Sequence, residues 1–174
     1  MKFFRQKGLF ANGGQGGCVH VPRTLEGTVF EVVSVLLLIV MWAVIIRFMR
    51  DLPETIPVHF GFTGEPDGYG SKSSLWALGI VGTVAVVVML VCAYFPRSVN
   101  LPVRRENPRQ MALSVRLVRI LSVMIALLFI AIMLNSGREA LGLPVFVRYL
   151  PMVVVAVLLL TTIVYCVKIY QSRT

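Results

Sequence analysis

The chain has 174 residues, of which 57% are apolar and 14% charged, with a mean hydropathy of +0.81. A soluble domain this short has too little interior to hide that much apolar surface, so a bilayer must supply the solvent. The net charge of +9 does not make a nucleic-acid surface, because the basic residues fall on alternate sides of the predicted spans and form no continuous phosphate-tracking stripe.

Residues 1–28 read as a cytoplasmic, partly disordered tail, or residues 1–22 as an overlong start, since the stretch 12–17 is Gly-rich and residues 1–24 hold no apolar run of signal-peptide length. Cys18 and His20 in this tail are too few to hold a metal. A hydrocarbon core of about 30 Å needs roughly 20 apolar residues in a helix, and four segments approach that length: 30–49, 75–95, 115–134 and 145–167. Their charges lie near the ends. Glu31 and Arg47 flank the first span, Arg116 and Arg119 open the third and Arg148 stands near the fourth, all placed to snorkel toward headgroups. Trp76 and Tyr149 are expected at one interface, and Tyr94, Phe95, Tyr165 and Tyr170 near the other.

The fold class expected is an all-α membrane protein: four transmembrane helices with a short ordered extracytoplasmic loop, an extended segment plus a turn, between helices 1 and 2. Residues 29–114 form a two-span module with that loop at 50–74 and a basic connection at 96–114; residues 115–174 supply the second helix pair. Lys2, Arg5, Lys7 and Arg23 precede the first span, and Arg97, Arg104, Arg105 and Arg109 follow the second. This asymmetry predicts both termini in the cytoplasm of a multi-pass protein of the cell membrane, with Arg47 and Arg50 outvoted. Arg104, Arg105, Arg109 and Arg116 read first as topogenic charges; recruitment of an acidic cytoplasmic partner at 97–116 is the alternative.

Within the spans, Gly79, Gly82 and Thr83 offer small surfaces for close approach of a neighbouring backbone. Cys92 and Cys166 read as small apolar fillers. No acid stands at mid-depth and no HExxH occurs, which counts against an ion-coupled transporter subunit and a membrane zinc protease.

The loop LPETIPVHFGFTGEPDGYGSK is the one compact polar segment between two apolar runs. Ile56, Val58, Phe60 and Phe62 alternate with Pro57, His59 and Gly61, which predicts a short strand with an apolar underside, confined to an edge by Pro57. Residues 63–68, TGEPDG, carry turn chemistry, and Ser71, Ser73 or Ser74 is placed to cap the second span. Three roles are open for the polar residues. In the structural one, Asp67 accepts from His59 or from turn amides and Lys72 pairs with an acid at the helix entrance, a buried bond worth about 1.5 to 3 kcal/mol. In the binding one, the loop receives an extracellular peptide. In the catalytic one, His59 is a general base oriented by Asp67, or a metal ligand beside Glu65 and Asp67.

The same stretch resembles the domain of unknown function 1648 (DUF1648), a family of bacterial polytopic membrane proteins that also forms the N-terminal module of Sdp-type immunity proteins. The matching positions are Pro53, Ile56, Pro57, His59, Gly64, Pro66, Asp67, Gly70, Ser71 and Lys72. A weaker likeness to the short four-span members follows at Asn100, Pro102, Glu106, Asn107 and Gln110. The resemblance implies envelope protection, toxin-peptide immunity or sensing, and the protein is expected to be noncatalytic and to need no cofactor. The short members have no established activity. The chain is read as departing from the longer relatives by ending after four spans, without their additional hydrophobic segments and Gly-x-Arg-Thr stretch. The rival expectations are a membrane-embedded or metal-dependent enzyme centred on His59 and Asp67, and a small transporter subunit.

Overall fold

The computed structural model describes residues 25–61, 63–95, 107–143 and 148–172. The tail with Cys18 and His20, and the connection with Arg97, Asn100, Pro102, Arg104, Arg105 and Glu106, lie outside the described residues.

Helix α1 runs Leu25–Asp51, β1 Thr55–Phe60, β2 Pro66–Ser71, α2 Ser74–Tyr94, α3 Pro108–Ala140 and α4 Leu150–Gln171. All four helices are long and apolar enough to cross a membrane. The 21 residues of α2 span about 31 Å, close to the hydrocarbon thickness, and this helix ends two residues before Pro96. At 33 residues α3 is much longer than the predicted span, starting seven residues earlier and ending six later. Its extension past the hydrocarbon at both ends explains how Arg109 and Arg138 are accommodated in one helix.

The centre of the bundle is α3, which touches α1, α2, α4 and β1. Met41 and Ile45 of α1, Leu75 of α2, and Ile130 and Met133 of α3 form the core together with Leu52 and Ile56. Small residues deepen the contacts. A Cβ at Gly79 would meet the Ile45 side chain at 2.5 Å, one at Gly82 would meet Phe129 at 2.9 Å, and one at Gly137 would meet the Phe48 ring at 2.3 Å. These notches receive side chains rather than a neighbouring backbone, a correction to the sequence expectation. Thr83 accepts a bond of 3.0 Å from the Trp42 indole, whose ring lies 5.9 Å from that of Trp76.

The start of α3 is stapled to the end of α4. Asn107 caps α3 by accepting from the amides of Arg109 and Gln110 at 3.0 and 3.3 Å, and its own amide donates to the Ser172 carbonyl at 2.8 Å. Gln110 is fully buried and donates to the Ile169 carbonyl at 3.0 Å. Two carbonyls at the end of α4 that lack a partner within the helix are thereby satisfied.

Snorkelling fails for Arg119. This side chain turns inward, donates to Glu31 at 2.8 Å and is 6% exposed, while Glu31 also accepts from the Tyr94 hydroxyl at 2.6 Å. One turn deeper, Ser34 and Ser122 share a hydrogen bond of 2.8 Å between α1 and α3. Glu31 stands at the level of Tyr94, the last residue of α2, so this polar cluster closes one end of the bundle.

Candidate functional site

The hairpin closes the other end. β1 and β2 are antiparallel, with Thr55 opposite Ser71, Ile56 opposite Gly70 and Pro57 opposite Tyr69. The Lys72 amide donates to the Glu54 carbonyl at 2.9 Å, and bonded and unbonded pairs alternate along an antiparallel ladder. Pro57 therefore falls at an unbonded pair, where its missing N–H would have faced away from β2, and the ladder loses nothing.

Register slips on either side of His59. The predicted alternation breaks there: Ile56 is fully buried in the core, Pro57 is also buried, and Val58 is exposed instead of lying on the underside. A bulge places two residues of one strand against one of the other and so reverses the faces beyond it. Gly68 and Gly70 make room for this. A Cβ at Gly70 would meet Val58 at 3.2 Å, and one at Gly68 would meet the His59 Cβ at 3.0 Å. Residues 66–68, expected in the turn, belong to β2; the turn itself closes through bonds from Gly61 to Glu65 and from Gly64 to Gly61, both 2.9 Å. Gly64 has φ +74°, a left-handed angle that disfavours any Cβ, and a Cβ there would also meet Arg148 at 2.6 Å.

All ten motif positions are gathered in this small structure. Pro53 is exposed between α1 and β1, Ile56 anchors the hairpin, Pro66 opens β2 and Ser71 ends it. His59 Nδ1 contacts Asp67 Oδ1, with the side chains 73% and 52% exposed. Lys72 reaches Glu54 at 2.8 Å, an acid at the exit of α1 rather than at the entrance of α2. Neither pair is buried. The His59–Asp67 contact is therefore worth about 0 to 1 kcal/mol, below the sequence expectation. Nor do the serines cap α2 through their side chains: Ser73 stands at its N-cap without such a bond, and its hydroxyl donates to Ser71 at 2.9 Å.

Sequence reasoning missed three members of this end. Tyr69, 65% exposed, stands beside Asp67 and Ser71 on the open face of β2. Arg148 lies against Gly64 and within 3.9 Å of Glu65 and 3.7 Å of Glu139. Asn135, buried in α3, donates to the Arg148 carbonyl at 3.0 Å. Tyr69 was legible in the spacing 67, 69, 71 once β2 was recognised as a strand; the other two depend on chain crossing. Among the described residues no group of three or more His, Cys, Asp or Glu is placed to hold a metal ion. Of the basic set, Arg116 pairs with Glu26 and Arg109 is exposed at the start of α3, both at the end away from the hairpin.

Residues 36–83, from the middle of α1 through the hairpin to the middle of α2, match the family model described as Domain of unknown function (DUF1648). The four apolar helices mark a multi-pass membrane protein, and its segment 36–83 is similar to that domain, as the loop motif implied. The chain is 30% identical over 89 residues to an uncharacterized protein of Archaeoglobus fulgidus. That likeness covers 47% of this chain and 49% of the relative, so the chain spans about half the length of the curated protein it matches. The relative is archaeal, which carries the likeness beyond bacteria. No solved structure matches.

Proposed function

We propose that this protein is a noncatalytic membrane component of envelope protection or sensing, and that its hairpin is the surface that meets an extracytoplasmic peptide. The supporting observation is the division of labour in the hairpin: Ile56 fixes it to the bundle while His59, Asp67 and Tyr69 are held out on a short, braced ladder. The Sdp-type resemblance gives the reading its direction, toxin-peptide immunity. The test is sensitivity to membrane-active peptides in cells that lack or overexpress the protein. Protection that disappears in a Tyr69→Ala variant of normal abundance supports the reading; sensitivity indifferent to the protein's presence removes it.

The orientation is part of the same proposal. Cysteines introduced at Thr63 and Asn100 are expected to react with an impermeant reagent from opposite sides, Thr63 from outside, because the Lys and Arg excess follows the second span. Reaction of both from one side would end the four-span arrangement.

The His59–Asp67 contact favours one rival, an enzyme in which Asp67 orients the imidazole. Thermal stability and protection measured side by side in wild type and His59→Ala, with and without a chelator, separate the readings. A chelator effect on the wild type alone moves the assignment to a metal-dependent activity.

A further inference from the structure

Under the hairpin tip, four groups from three parts of the chain converge. Glu65 comes from the turn, Asn135 and Glu139 lie one helical turn apart on α3, and Arg148 precedes α4. Arg148 is shared between the two carboxylates at 3.9 and 3.7 Å, longer than the 2.7 to 2.9 Å or so of a charge-assisted hydrogen bond. Asn135 is 3% exposed. Its Nδ2 is committed to the Arg148 carbonyl, which fixes the amide orientation, and its Oδ1 is buried with no donor. Two carboxylates thus share a single guanidinium beyond hydrogen-bond distance, and a buried amide oxygen without a donor lies one helical turn from the second of them.

We propose that this recess is a site for a primary ammonium group of a peptide, and that Arg148 is its internal stand-in. An ammonium offers three donors from a compact head, one for each of Glu65, Glu139 and Asn135 Oδ1. The Arg148 guanidinium makes a hydrogen bond to none of the three. Because the Arg148 stem packs against Gly64, displacing it frees the hairpin tip, so occupancy is transmitted to the segment around Thr63. The inference deepens the peptide-binding reading of the hairpin by naming the chemistry recognised.

The test is calorimetric binding to the full chain in nanodiscs of zwitterionic phosphatidylcholine, with two probes. N-acetylated tetralysine amide presents side-chain ammonium groups, and tetra-alanine amide with a free N-terminus presents an α-ammonium. At least one binds the wild type. Glu65→Gln, an exposed change that leaves the core intact, and Asn135→Leu each weaken binding about tenfold, as expected for loss of one hydrogen bond to a charged group. Arg148→Gln tightens it by removing the competitor and raises the labelling rate of a cysteine at 63. Arg47→Gln, which removes a cation paired with Asp51 at the same end, leaves affinity unchanged. The proposal is overturned if neither probe binds, if Arg47→Gln and Arg148→Gln act alike and so report a diffuse field, or if Asn135→Leu is silent, which leaves its oxygen to a bound water. Cells protected by a protein that binds neither probe would remove the ammonium site and leave the proposed function standing.

Discussion

Two ion pairs at opposite ends of the bundle, His59 with Asp67 and Arg119 with Glu31, handle charge in opposite ways. At the hairpin end His59 and Asp67 are both exposed, Lys72 is partly covered but meets an exposed Glu54, and Arg148 is stretched between two acids. At the far end Glu31 and Arg119 are enclosed, with side-chain exposures of 22% and 6%, and Tyr94 adds a third helix to the pair. Exposed pairs contribute little because water competes for both partners, whereas a buried pair is costly to break because the surviving charge has no substitute solvent. The far end is built to stay closed, and the hairpin end to keep its polar groups available.

Breaking the far end gives the largest expected effect. Glu31→Ala leaves Arg119 buried without its partner and is expected to destabilise by about 3 to 5 kcal/mol, read as a lowered melting temperature in detergent. The paired change Glu31→Leu with Arg119→Leu should recover most of that loss. A single mutant that melts with the wild type would mean that Arg119 escapes to the headgroups after all.

Ile56→Ala comes next, because the side chain is fully buried in the core cluster that includes Leu52, Leu75 and Met133 and its removal costs roughly 2 to 5 kcal/mol. The loss should concentrate in the hairpin, seen as faster protease cleavage between residues 55 and 71 while the helices remain protected. Uniform loosening of the whole chain would instead make the hairpin part of one cooperative core.

The smallest effect sharpens the comparison from the other side. His59→Ala and Asp67→Asn should each change stability by about 1 kcal/mol or less, since both side chains lie in water. A loss of several kcal/mol from either would restore the structural role read from the sequence, and would erase the contrast between the two ends.

Much of this contrast was illegible in one dimension. The loop was located and its motif matched because turn residues between two apolar runs are a local signal, and Ile56 was rightly placed on an apolar underside. The face of Val58 was misread because a bulge needs the partner strand to define it, and β2, with glycines at 68 and 70, carries little strand propensity of its own. Asn107 and Gln110 stood out in the family likeness, but nothing near them in sequence indicates that they hold Ser172 and Ile169, 65 and 59 residues away.

By itself the sequence determined that four helices cross a bilayer, roughly where each begins and ends, and that one polar hairpin-forming segment separates the first two. Hydrophobic run length, turn chemistry and charge flanks act over about 20 residues and are written directly in the order of amino acids. Only the tertiary structure decided that Glu31 meets Arg119 across 88 residues, that Arg148 lies under Gly64, and that α3 is the helix the others share. Those outcomes depend on the rotation and crossing of whole helices, which packing of side chains such as Phe48 on Gly137 selects among arrangements of nearly equal hydropathy.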